Sequence, residues 1–65
     1  MDKKKIAERL TELRGKRTQM EVAKAIGISQ STYAMYESGR RVPSDENKKK
    51  IADFYKRSVQ SIFFK

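Results

Sequence analysis

Residues 30–38 carry the side chains whose types and spacing could do chemistry. On a helical wheel at about 100° per residue, Tyr33, Tyr36 and Glu37 share one side, with Thr32 at its edge. Gln30, Ser31, Ala34, Met35 and Ser38 form the opposite stripe. That stripe holds no charged residue, although 37% of the chain is charged. An exposed helix face ordinarily carries Lys and Glu. A face of amides, hydroxyls and small apolar groups suits the edges of DNA bases instead. Gln pairs bidentately with adenine, Ser donates or accepts, and Ala or Met meets a thymine methyl. Lys and Arg flank the stripe, where phosphates would lie, so that charge holds the backbone while short neutral groups read sequence. A merely polar surface helix would offer the same amides and hydroxyls. The helix-turn spacing ahead of the stripe separates the two readings.

That spacing follows from apolar periodicity and turn residues. Ile6, Leu10 and Leu13 recur at i, i+4 and i+7 and predict an amphipathic helix over about residues 3–14, ended by Gly15 and Lys16-Arg17. Thr18-Gln19-Met20-Glu21 has the form of a capping box, so a second helix starts at Thr18 with Val22, Ala23 and Ile26 inward. Gly27 stops it where a left-handed conformation costs least. Ser29 can cap a third helix that runs to about Ser38. Two short helices joined by a turn containing glycine form a helix-turn-helix. Pro43-Ser44 followed by Asp45 and Glu46 opens a fourth helix whose buried face is Ile51, Ala52, Phe54 and Tyr55. Ser58 caps a short fifth helix with Val59, Ile62 and Phe63 inward. The expectation is an all-α, compact five-helix domain covering residues 1–65, with the helix-turn-helix formed by helices 2 and 3.

Composition narrows the chemistry further. A chain of 65 residues is near the size where one hydrophobic core barely suffices. It has no Cys and no His, which removes disulfides, thiolate or imidazole metal sites and His- or Cys-based catalysis. No glycine-rich phosphate loop and no pair of acids on an apolar face stands in their place, so no enzyme, cofactor or metal is expected. The net charge of +8 favours a polyanionic partner, nucleic acid before a membrane surface. No apolar run approaches the roughly 18 residues of a membrane span, and no signal-peptide core follows the N-terminal lysines. The expectation is a soluble cytoplasmic protein.

Gln19-Met20-Glu21-Val22-Ala23-Lys24-Ala25-Ile26-Gly27-Ile28-Ser29-Gln30-Ser31-Thr32, with Tyr36-Glu37-Ser38-Gly39-Arg40-Arg41-Val42-Pro43-Ser44 behind it, resembles the lambda-repressor/Cro-type (XRE) helix-turn-helix family. The resemblance extends from Ile6 to Phe63. It implies a small DNA-binding regulator of transcription, a repressor in type, with helix 3 in the major groove. By position, Gln19 matches the glutamine that binds a backbone phosphate and braces the glutamine opening the recognition helix. Gln30 matches that second glutamine, which reads a base. Ser31 and Met35 fall on the other base-facing positions, and Thr32 on a phosphate-contacting one. Ser38, Arg40 and Arg41 match the loop that clamps phosphates, and Arg14 and Glu37 match positions that pair across helices 1 and 3.

The chain also departs from the family pattern. The link from Leu13 to Gln19 is shorter than in many members. Asn47-Lys48-Lys49 supplies no apolar residue where one is usual, which predicts a loosely begun fourth helix. Lys56-Arg57 stands where Gly-Val is common. The run Lys48-Lys49-Lys50 reads as solubilising, and Lys3, Lys4, Lys5, Lys16 and Arg17 as a basic surface that could extend the phosphate footprint. Tyr33, Tyr36 and Tyr55 read as core rather than base-stacking residues.

Phe63 and Phe64 are too many aromatics for a free tail. One closes the core, and the other joins Val59 or Ile62 in a two-fold interface. Half-sites one helical turn apart, about 34 Å, need such a dimer. The expected partner is therefore a palindromic double-stranded operator bound by a homodimer, with no small-molecule ligand. A second reading is an antitoxin-like interaction module that also binds DNA, marked by an apolar groove outside helix 3. A third, non-specific binding through charge alone, would put Lys and Arg along the presented stripe.

Overall fold

A computed structural model of the chain describes residues 2–65, with five helices and no strand among them. They are α1 (Lys3–Arg14), α2 (Gln19–Ile26), α3 (Gln30–Glu37), α4 (Asp45–Tyr55) and α5 (Val59–Phe63). Each begins at a short polar side chain that takes a first-turn N–H. Asp2 accepts from the amides of Lys4 and Lys5 at 2.9 and 3.3 Å. The capping box at α2 is complete. Thr18 Oγ1 accepts from Glu21 N at 3.0 Å, and Glu21 Oε1 accepts from Thr18 N at 3.3 Å. Ser29, Ser44 and Ser58 repeat the first half of that motif at α3, α4 and α5.

Gly27, at φ 91°, ends α2 in the left-handed region that side chains rarely adopt. The three-residue turn Gly27–Ser29 then lays α3 across α2 and α1. Ile6, Leu10, Val22, Ala23, Ile26, Tyr33, Tyr36, Ile51, Ala52, Ile62 and Phe63 form the core. Leu13, Ile28, Phe54, Tyr55 and Val59 pack partly buried against it. Tyr33 is fully enclosed, and its hydroxyl meets that of Tyr55 at 2.7 Å, which satisfies both phenols inside the fold. Arg9 Nη1 donates to Ile62 O at 2.8 Å and so ties α5 back to α1.

Three expectations are corrected here. Lys48 is not a solubilising residue: it is 6% exposed, with its stem in the core. Its ammonium lies 4.9 Å from the Phe64 ring centre and 3.5 Å from Asp45 Oδ1. The aliphatic stem is apolar enough to bury, and the ammonium is met by the Asp45 carboxylate and the Phe64 ring. Nor does α4 begin loosely. Ser44 caps it, and Asn47 Nδ2 donates to the Tyr36 hydroxyl at 2.9 Å, a polar anchor where the family usually has an apolar one. At the helix C-terminus Lys56 takes the left-handed conformation, φ 55°, that the usual glycine would adopt. Finally, Phe63 closes the core as expected, but Ile62 is buried too and offers no surface. Phe64 is 58% exposed.

Among the described residues, no helix is long and apolar enough to cross a membrane.

Candidate nucleic-acid interface

The α3 stripe is exposed because its opposite side is spent on the core. Tyr33 and Tyr36 point inward, which at helical spacing turns Gln30, Ser31 and Met35 out. Gln30 and Ser31 occupy the exposed first turn, and Met35 is 38% exposed. Ser31 and Ser29 hydroxyls approach at 3.3 Å, and Ser29 Oγ donates to Thr32 Oγ1 at 2.7 Å. The first turn of α3 is therefore a hydrogen-bonded shelf of hydroxyls beside the Gln30 amide. Thr32 is half-buried, at the edge predicted for it.

Beyond α3 the chain turns through Ser38 and Gly39. Ser38 Oγ donates to Met35 O at 3.1 Å, and the Arg40 amide donates to the same carbonyl at 3.1 Å. Gly39 makes the turn at φ 77°. This fixes the backbone that carries Arg40 and Arg41. Both side chains are exposed, and neither forms an ion pair among the described residues. Two cations thus stand unneutralised at the end of a neutral stripe.

Glu37, the last residue of α3, joins three helices. Arg14 Nε donates to its Oε2 at 2.8 Å, Gln19 Nε2 to its Oε1 at 3.0 Å, and Thr11 Oγ1 to the same oxygen at 3.4 Å. The Arg14–Glu37 pairing is as expected. The Glu37 side chain is 3% exposed and that of Arg14 21%. Burial alone would raise the Glu37 pKa, but hydrogen bonds from Arg14 and Gln19 outweigh it and hold the carboxyl below its ordinary value. Burial pushes the Tyr33 phenol far above its own ordinary value.

The partner of Gln19 differs from the one the family resemblance implied. Among the described residues, its amide bonds Glu37 and makes no hydrogen bond to Gln30. The reason is the register of α3: Glu37, at its far end, faces the start of α2 and presents a charged acceptor. Thr11 was not singled out in the sequence, although it stands three residues before Arg14 on the same face of α1. Arg17, read as part of the free basic surface, has its guanidinium 5.3 Å from the Phe54 ring centre and 5.8 Å from that of Tyr55. Lys3, Lys4, Lys5 and Lys16 are exposed.

Comparison with known proteins agrees with this geometry. A helix-turn-helix family profile matches residues 6–62. The chain is 43% identical over 60 residues to the cryptic phage CTXphi transcriptional repressor RstR of Vibrio cholerae, covering 89% of this chain and 54% of the relative. It is 48% identical over 50 residues to the HTH-type transcriptional regulator AnsR of Bacillus subtilis, covering 74% of this chain and 43% of the relative. The chain thus spans about half the length of the curated relatives it matches. No solved structure matches it. With five helices in this order, a capped α2, a glycine turn into α3 and a profile match over nearly its whole length, the chain belongs to the helix-turn-helix family of the lambda-repressor/Cro type.

Proposed function

We propose that residues 1–65 act as one DNA-binding domain of a transcriptional regulator, a repressor, that reads a specific duplex sequence through α3. The observation that carries this reading is the exposed, uncharged stripe of Gln30, Ser31 and Met35 on a chain of net charge +8, ended by the unpaired Arg40 and Arg41. A surface that binds DNA by charge alone would place its cations on the presented helix. Here they stand at its margin, where phosphates run along a major groove about 12 Å wide. Both similar proteins are described as transcriptional regulators, one of them as a repressor.

In this arrangement Gln30, Ser31 and Met35 contact base edges. Gln19, Thr32, Ser38, Arg40 and Arg41 contact phosphates. The first-turn amides of α2 face the same strand with the favourable end of the helix dipole. Two copies bind a palindromic operator in the cytoplasm. The exposed Phe64 and the partly buried Val59 supply the apolar surface between them.

Selection from a randomised duplex pool at about 150 mM salt, where sequence-independent binding is weakened, tests the reading. An enriched inverted repeat is the expected result. Gln30→Ala should weaken binding to that repeat by about 1–3 kcal/mol and relax one base pair of the consensus. A pool that enriches nothing, or a Gln30→Ala protein that returns the parent consensus at the parent affinity, removes α3 as the reading element.

A further inference from the structure

Glu37 sits where a helix least tolerates an acid. It is the last residue of α3, at the end where unpaired carbonyls carry partial negative charge, and its side chain is 3% exposed. The ion pair with Arg14 does not by itself account for it, because apolar residues of similar volume often replace a buried pair without loss of stability. What a carboxylate supplies, and an apolar group does not, is an acceptor of fixed polarity. An ionised carboxylate only accepts, so an amide facing it must turn its nitrogen inward. Gln19 does so, at 3.0 Å. Arg14 on Oε2 and Thr11 on Oε1 stop the carboxylate from rotating. Among the described residues, the Gln19 amide is left with its second Nε2 hydrogen and its Oε1 unengaged, at the first residue of α2. There the backbone N–H groups of Gln19 and Met20 lack intrahelical partners.

We infer that Glu37 is a positioning residue for DNA binding. Its carboxylate holds the Gln19 amide, before DNA arrives, in the one orientation that offers an N–H to a backbone phosphate beside the α2 N-terminus. The inference rests on the proposed role of Gln19 as a phosphate ligand. Without the carboxylate, Gln19 must be ordered on binding, which for one flexible side chain costs a factor of about 2–10 in affinity.

The test is a double-mutant cycle read on a short duplex of arbitrary sequence at low salt. Phosphate contacts need no particular sequence, so failure of base reading leaves this measurement intact. Gln19→Ala and Glu37→Gln should each weaken binding by about 2–10-fold. The double variant should be no weaker than Gln19→Ala alone, with affinities taken where circular dichroism shows every variant folded. If Glu37→Gln does not fold, the same quantity is read in an Arg14→Met/Glu37→Leu background, whose apolar pair keeps the volume. There Gln19→Ala should cost clearly less than it does in the parent.

Costs that multiply, with Gln19→Ala equally damaging whether or not Glu37 is present, reduce Glu37 to a structural residue and overturn the inference. A parent that binds the duplex and loses nothing on Gln19→Ala removes Gln19 from the phosphate set, and this inference with it. A parent that binds no duplex at all overturns the DNA-binding reading as well.

Discussion

Glu37→Gln also makes a prediction about stability, separate from DNA. Removing one partner of a buried ion pair typically costs about 3–5 kcal/mol, because the other charge is left without compensation. Two features of this site reduce that figure. The Arg14 side chain is 21% exposed and regains water, and its Nη1 keeps a 2.7 Å bond to Arg17 O. A glutamine at position 37 can also still accept from Arg14 or Gln19. About 1–2 kcal/mol remains, or a fall in melting temperature of about 4–16 °C for a domain of this size. The dependence on pH has a definite sign. The Glu37 carboxyl is held below its ordinary value in the fold, so its contribution is complete above the unfolded value of about 4.3. It is lost as pH falls through the lower folded value. Circular dichroism melts of parent and variant should therefore differ fully at neutral pH and converge as the pH falls below the ordinary carboxylate range. Equal melting temperatures at neutral pH would refute the account of the pair. So would a deficit that persists undiminished in acid, because a neutral Glu37 and a glutamine should then be nearly equivalent.

Other perturbations probe different parts of the molecule. Arg40→Ala should weaken specific and arbitrary duplexes by similar factors and reduce the slope of log K against log salt by about 1; an unaltered slope removes Arg40 from the phosphate contacts. Lys56→Gly should raise stability by about 0.5–1 kcal/mol, since the left-handed backbone at φ 55° costs a side chain more than glycine loses in chain entropy. A melting temperature that stays level or falls would mean that the Lys56 side chain contributes packing of its own. Sedimentation at rising concentration, with and without operator, should show two copies on the DNA; a strict monomer that binds one half-site would exclude the symmetric assembly.

The features legible in the sequence were those that local rules decide. A hydroxyl or carboxylate that caps a helix reaches only two or three residues along its own chain, so Thr18, Ser29, Ser44 and Ser58 could be placed without knowing the fold. The neutral stripe of α3 was visible because an uncharged face is conspicuous in a chain this rich in charge. The burial of Lys48 is hidden in the sequence for the opposite reason. A run of three lysines invites a reading by residue type, but burial on a helix is a matter of register. Positions 48, 51, 52 and 55 lie on one face, and the buried Ile51 and Ala52 already marked that face as inward. Periodicity, applied past the charge, would have placed the Lys48 stem in the core.

The Gln19 contact lay beyond any such rule. Whether Gln19 meets Gln30 at one end of α3 or Glu37 at the other depends on the angle and register at which α3 crosses α2. Those are set by how Tyr33 and Tyr36 fill the space between α1 and α4, a property of the packed core rather than of any window of sequence. Family resemblance supplied Arg14, Gln19 and Glu37 and the pairing of Arg14 with Glu37, but neither Thr11 nor the bond from Gln19 to Glu37. The two wirings differ physically: a glutamine held by a neighbouring amide can flip with it, whereas one held by an ionised carboxylate cannot.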